Sequence, residues 1–297
     1  MRTLLALLLW AMASATPARD TLHLYNWNNY ISAATVARFE AWCGCLLKQD
    51  YYSDNEEMLA KLEAGATGYD LLVPTGNAVQ TLIRKRELQP VDRASLPHIG
   101  NIDPAFTDPW YDPGSRHSVP YAMTVTLLGY NATKLAQLGL PTDTWALIFE
   151  PVFLEKLKGK VTVLNSQREL MAAALIYLGH PAGDRDPAHW KAARDLILRA
   201  KPYWATFSNS TYIKDLAIGN IWVAHGYSND MFRAREDAKA AGRPFAIGFT
   251  IPKEGAVLAV DSFVIHRAAR RPDLAHRFID FMLRGENAAD VSNLIGA

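Results

Sequence analysis

Tyr69-Asp70-Leu71-Leu72-Val73-Pro74 is apolar almost without interruption. A strand with one wet face alternates. A strand covered by helices on both faces does not, and parallel strands read this way. The run is third in a series. Thr21–Asn26 alternates as a strand, and Ser32 precedes a helical stretch with Val36, Phe39 and Trp42 on one face. Cys45–Tyr52 reads as a second strand. Ser53-Asp54-Asn55-Glu56 has the pattern of a capping box, opening a helix with Met58, Leu59 and Leu62 inward and a Glu57/Lys61 pair outward. Another helix follows to Arg86. Residues 21–90 are therefore β-α-β-α-β-α, which predicts an α/β fold with a parallel, doubly wound sheet.

Residues 93–118, with Asp108-Pro109 and Asp112-Pro113-Gly114, read as a long ordered loop, and Val119–Asn131 as one extended stretch. A second αβ series follows. It has helices at 146–157, 167–178, 189–200, 211–218 and 228–241, and strands at 160–164, 221–224 and 245–251. Ala256–His266 is extended again, and Pro272–Leu283 is an amphipathic helix. Two extended crossings between two αβ series predict two lobes, 19–126 with 255–297 and 127–254, around a ligand cleft.

Composition narrows the class. The chain has 297 residues with 31 Lys+Arg against 30 Asp+Glu, so it lacks the basic excess of a general nucleic-acid binder. Met1-Arg2, the apolar run Leu4–Met12 and Ala13-Ser14-Ala15 form an export signal over residues 1–18, with cleavage after Ala15 or Ala18. The apolar run is too short for a bilayer core of about 30 Å. The two cysteines, Cys43 and Cys45, would close a tiny strained ring if bridged, and are expected to be separate small apolar groups.

Catalytic patterns are not found. Gly226-Tyr227-Ser228-Asn229-Asp230 approaches G-x-S-x-G but ends in Asp, and there is no phosphate-binding glycine loop and no H-E-x-x-H. The eight histidines are scattered. Tyr51-Tyr52 offers phenolates for iron, but strand alternation explains it more simply. A non-enzymatic receptor without metal or cofactor is expected, with an exported hydrolase as the enzymatic alternative.

Seven motifs then carry a resemblance. They are Leu24-Tyr25-Asn26-Trp27-Asn28-Asn29-Tyr30, Ser53-Asp54-Asn55-Glu56-Glu57-Met58-Leu59, Tyr69–Pro74, Val119-Pro120-Tyr121, Gly129-Tyr130-Asn131, Ile251-Pro252-Lys253-Glu254-Gly255 and Phe281-Met282-Leu283-Arg284. In collinear order from about residue 22 to the C-terminus, they resemble the bacterial periplasmic putrescine/spermidine-binding proteins, receptors of polyamine ABC transporters. The resemblance implies the two-lobed type II "Venus flytrap" fold, a polyamine ligand with putrescine favoured, an inner-membrane permease partner, a periplasmic location and a monomer. It implies a site of Trp27, Asn28, Tyr30, Thr75, Glu169, Tyr227, Asp230 and Asp261. The chemistry agrees: buried ammonium groups need carboxylates, and aromatic faces suit methylenes and cations alike. Other readings are a receptor of this fold for another small cation or an amino acid, and a binding-impaired paralogue. Three positions depart from the family. Asn29 stands where an acid is common, and Met123 and Ala259 stand where aromatics are, which predicts a wider cleft. Family members usually continue past Ala297, so a shortened C-terminus is expected.

Overall fold

The computed structural model describes residues 19–28 and 30–296; the expected export signal lies outside them. The chain begins β1 (Thr21–Trp27), α1 (Ala33–Cys43), β2 (Leu46–Tyr52), α2 (Asn55–Glu63), β3 (Leu71–Leu72) and α3 (Gly76–Arg84). The 93–118 loop follows, and then β4 (Ser118–Asn131), α4 (Ala132–Leu138), α5 (Ala146–Phe149), α6 (Pro151–Leu154), β5 (Val161–Val163) and α7 (Gln167–Tyr177). Next come α8 (Pro187–Ala200), β6 (Thr206–Phe207), α9 (Thr211–Ile218), β7 (Val223–Tyr227) and α10 (Ser228–Ala240). The described chain closes with β8 (Ile247–Thr250), β9 (Val257–Ile265), α11 (Pro272–Met282) and α12 (Gly285–Ile295).

Among the described residues the strands form one sheet in the order β2-β1-β3-β9-β4-β7-β5-β6, with β8 also paired to β4. The β2-β1-β3 end is parallel, as the opening motif predicts, and so is β7-β5-β6. The long β4 and β9 join these ends and pair antiparallel to each other. Side chains of successive strand residues go to opposite faces, so a strand under helices on both sides is apolar throughout. Leu71 and Val73 enter one core with Leu22, Leu24, Phe39 and Phe278, while Leu72 enters another with Tyr25, Tyr52 and Val79. Leu128 and Leu127 divide in the same way between two further cores. The first two cores draw on residues 22–122 and 263–295, the other two on residues 125–256. The molecule is thus two-lobed, and β4 and β9 carry the chain between the lobes.

Several local expectations shift. The α2 cap is Asp54, one residue later than Ser53: its carboxylate accepts from Glu57 N at 2.7 Å, and Ser53 Oγ donates to Glu57 Oε2 at 2.8 Å. The helix expected over 146–157 breaks at Glu150-Pro151, because proline lacks an N–H and forces Glu150 into an extended conformation (φ −89°, ψ 126°). The strand expected at 221–224 forms at Val223–Tyr227, while α4 and α12 are helices the sequence reading left unassigned. Cys43 and Cys45 are bonded to each other, against expectation. Gly44 adopts a left-handed φ of 69° at the end of α1 and turns the chain so sharply that the two Cα atoms lie 5.2 Å apart, within bridging range.

Phe278 is fully buried on α11, edge-on to Phe39 at 4.8 Å and to Phe263 at 5.7 Å. It ties a helix near the C-terminus to the first αβ unit. Phe278→Ala should lower the unfolding free energy by about 3–5 kcal/mol, read from urea denaturation.

Candidate functional site

All eight residues singled out from the sequence line one cavity of about 190 Å³ between the elements of the two lobes. Each arrives by a distinct local device. Trp27 ends β1; its indole Nε1 donates to Val73 O at 2.9 Å, and its ring packs on Tyr52 at 4.5 Å. Tyr52 OH donates to the same carbonyl at 2.6 Å, so one backbone oxygen anchors both rings. Thr75 caps α3 and is clamped by Asn55, which accepts from Thr75 N at 3.1 Å and donates to Thr75 Oγ1 at 3.0 Å. Asn28 is exposed at the rim.

Three of the carboxylates that line the cavity are each held by a hydroxyl. Asp261 on β9 is buried, accepting from Thr75 Oγ1 at 2.7 Å and Tyr30 OH at 2.9 Å. Asp230, in the first turn of α10, accepts from Tyr212 OH, which itself accepts from Tyr227 N at 3.3 Å. Glu169 lies in the first turn of α7 with Ser166 as cap. Its carboxylate does not fold back on the cap; it accepts from Thr126 Oγ1 of β4 at 2.6 Å. Gly226 makes room for this arrangement, since a Cβ there would sit 2.5 Å from the Tyr212 ring.

Among the described residues no Lys or Arg pairs with Asp261, Asp230 or Glu169. Burial therefore dominates their ionisation. It pushes Asp261 and Asp230 up to about 6, opposed by the Thr75 and Tyr30 hydroxyls at Asp261 and by Tyr212 at Asp230. Burial also raises Glu169, opposed by the Thr126 hydroxyl and by the charge of the adjacent Arg168. The lining carries further acids at Asp54 and Glu56, and one cation, Arg168. With Trp27, Tyr30 and Tyr227 as aromatic walls, the cavity is suited to an extended apolar chain ending in cations.

At the Gly226–Asp230 segment, Ser228 and His225 are not placed as a nucleophile and its base. Ser228 Oγ accepts from Val125 N at 3.1 Å. The neighbouring His225 is fully buried, its pKa driven down to about 3 by burial, and its Nδ1 accepts from Leu164 N at 3.3 Å. Tyr51 is 47% exposed while Tyr52 is 3% exposed, so the two phenols point to opposite sides of β2, as alternation requires. No helix among the described residues is long and apolar enough to cross a membrane.

Residues 34–297 match the family described as "Bacterial extracellular solute-binding protein". The chain belongs to that family. A putrescine/cadaverine-binding protein of Pseudomonas aeruginosa is 54% identical over 295 residues, covering 99% of this chain and 83% of that one. The putrescine-binding periplasmic protein PotF of Escherichia coli is 37% identical over 300 residues, covering 97% of this chain and 80% of that one. The structure of the Tp0655 (TpPotD) lipoprotein of Treponema pallidum superposes with a TM-score of 0.83 at 32% identity, over 93% of this chain and 84% of that one. The fold is that of two-lobed periplasmic binding proteins.

Within this solute-binding fold, one expected departure is corrected. Ala259 lines the cavity, but Met123 is 38% exposed and lines a separate groove with Pro120 and Val260, so it does not widen the cleft. Asn29 lies outside the described residues. Of the supporting hydroxyls, those of Tyr30 and Thr75 belong to residues expected from the sequence, whereas those of Thr126 and Tyr212 were missed. Ser166-x-x-Glu169 does mark a helix start, but nothing local ties Thr126 to Glu169 or Tyr212 to Asp230.

The sign of the pH dependence follows from burial. Asp261 has a folded-state pKa of about 6, above the ordinary 3.8, so the native state binds more protons between these values. Its contribution to stability is fully present below about pH 4 and is lost as pH rises through about 6. Asp261→Asn mimics the protonated side chain, because the neighbouring hydroxyls can rotate to suit the amide. The ligand-free variant should match the parent near pH 4 and exceed its stability by about 2–3 kcal/mol at pH 7–8. Denaturant unfolding across this range checks it; parallel curves for the two proteins would refute the assigned shift.

Proposed function

We propose that this chain captures a polyamine, putrescine in preference to spermidine, in the periplasm and delivers it to an inner-membrane ABC permease. The observation that carries the reading is a set of three carboxylates, Asp261 buried and Asp230 and Glu169 partly buried, each held by a hydroxyl and none salt-bridged to a Lys or Arg among the described residues, between aromatic walls. A buried anion without a cation is costly, and an ammonium group of the ligand removes that cost. Asp261 and Asp230 neutralise ammonium groups while Trp27, Tyr30 and Tyr227 pack on the methylenes; Asn28 and Thr75 complete the first lobe's wall. Glu169 adds the second lobe's further anion.

The names of the relatives support the same ligand class: the more similar of the two binds putrescine and cadaverine by name, and the other binds putrescine. The lobes of this reading are 19–126 with 255–297 and 127–254. They close on the ligand as a monomer, without catalysis or nucleic acid, after residues 1–18 have directed export. Arg168 on the cavity wall favours one second reading, an amino acid whose carboxylate it would pair.

Calorimetric titration with putrescine, cadaverine, spermidine and a panel of amino acids tests the proposal. Putrescine should bind more tightly than spermidine. Its affinity should fall as pH drops below about 6, because protonated Asp230 and Asp261 no longer offer charge. Asp261→Asn should weaken putrescine at least about 30-fold at pH 7.5, the consequence of removing one partner of a desolvated charge pair. The absence of heat with every polyamine, or a response to amino acids alone, would sink the reading.

A further inference from the structure

Outside the cleft, the connection between α7 and α8 brings together two histidines nine residues apart in the chain. Gly179, with a left-handed φ of 82°, ends α7, and His180 N donates to Leu175 O at 2.9 Å. Asp184 N donates to Pro181 O at 3.0 Å, closing a turn. Asp186 caps α8 by accepting from Ala188 N at 2.8 Å, and Trp190 Nε1 donates to Asp184 O at 2.5 Å. These bonds fix the backbone on both sides of the connection. The His189 ring consequently lies over the His180 ring, with centroids 3.6 Å apart and planes 15° apart. His189 Nδ1 is 2.9 Å from Asp184 Oδ2. One ring nitrogen of each histidine and one carboxylate oxygen all lie within 4.8 Å of one another, and all three residues are partly buried.

Two imidazole nitrogens and one carboxylate oxygen form a donor set suited to borderline divalent metals, not to the hard, oxygen-seeking Mg²⁺ and Ca²⁺. At bond lengths of about 2.0–2.2 Å, tetrahedral ligand atoms stand about 3.4 Å apart. The three donors must therefore close by no more than about 1.4 Å. Rotation of partly exposed side chains on a pinned backbone supplies that movement. Glu169 sits at the other end of α7, whose 11 residues span about 16 Å, so this cluster is distinct from the cleft.

We propose that His180, Asp184 and His189 form a binding site for a divalent transition-metal ion, with water completing the coordination.

The test is titration of the tag-free full chain with Zn²⁺ by calorimetry and with Co²⁺ by visible absorption. One equivalent of Zn²⁺ should bind, Mg²⁺ should give no heat, and saturating putrescine should leave zinc affinity unchanged. His180→Gln, His189→Gln and Asp184→Asn should each weaken Zn²⁺ about tenfold or more while retaining the parent circular dichroism spectrum. Should a variant fail to fold, the parent protein itself decides: Zn²⁺ should protect His180 and His189 from diethylpyrocarbonate, read by peptide mass spectrometry. No zinc uptake, equal uptake by the His180→Gln/His189→Gln double variant, displacement of zinc by putrescine, or unprotected histidines would each overturn the proposal.

Discussion

The burial of the Asp261 carboxylate is the constraint on which the organisation of the cleft depends. The residue sits on β9 opposite Ala122 of β4, beside a register shift between Pro120 and Ala122. It also receives a hydroxyl from the cap of α3 and another from the chain just after β1. Four segments far apart in sequence thus converge on one charge. Desolvating a carboxylate is expensive, and two neutral hydroxyl donors offset only part of that cost. A lysine in their place would neutralise the charge and fill the space. Hydroxyls hold the group in position and leave its charge unspent.

The same solution recurs across the cleft with different parts. Glu169 and Asp230 both occupy the first turn of a helix, where the helix dipole favours an anion. Each is turned away from local capping by a hydroxyl from another element, Thr126 on β4 and Tyr212 on α9. Charges on both lobes are therefore aimed at one cavity. A cation held there would interact with both lobes at once, and under the proposed function that is what would couple binding to closure. It is also where stability and function conflict: the features that make the ligand-free cleft costly are those that give it affinity.

Much of the architecture is legible in the chain. Leu71-Leu72-Val73 announces a strand covered on both faces, and the long apolar stretches at 118–131 and 257–265 announce the crossings. The errors fall where one residue decides the backbone. Pro151 divides a helix that periodicity alone runs together, and Gly44 turns a two-cysteine segment that looks unable to close. In the site, the acids and aromatics stand out by type and motif, as do the Tyr30 and Thr75 partners of Asp261, whereas the hydroxyl partners of Glu169 and Asp230 do not. Thr126 and Tyr212 read as an ordinary strand residue and an ordinary helix residue. Met123 shows the opposite failure, being assigned to a cleft that its exposed position does not reach.

What the sequence determined by itself is the order of elements, the parallel sheet ends and the chemical character of the cleft, because periodicity and residue type are local properties. Tertiary structure alone decided which neutral group steadies each acid, which acids lack a cationic partner, and that His180 meets His189. Those facts depend on distances between segments with no sequence relation, and only the packing of helices on both faces of one sheet sets such distances.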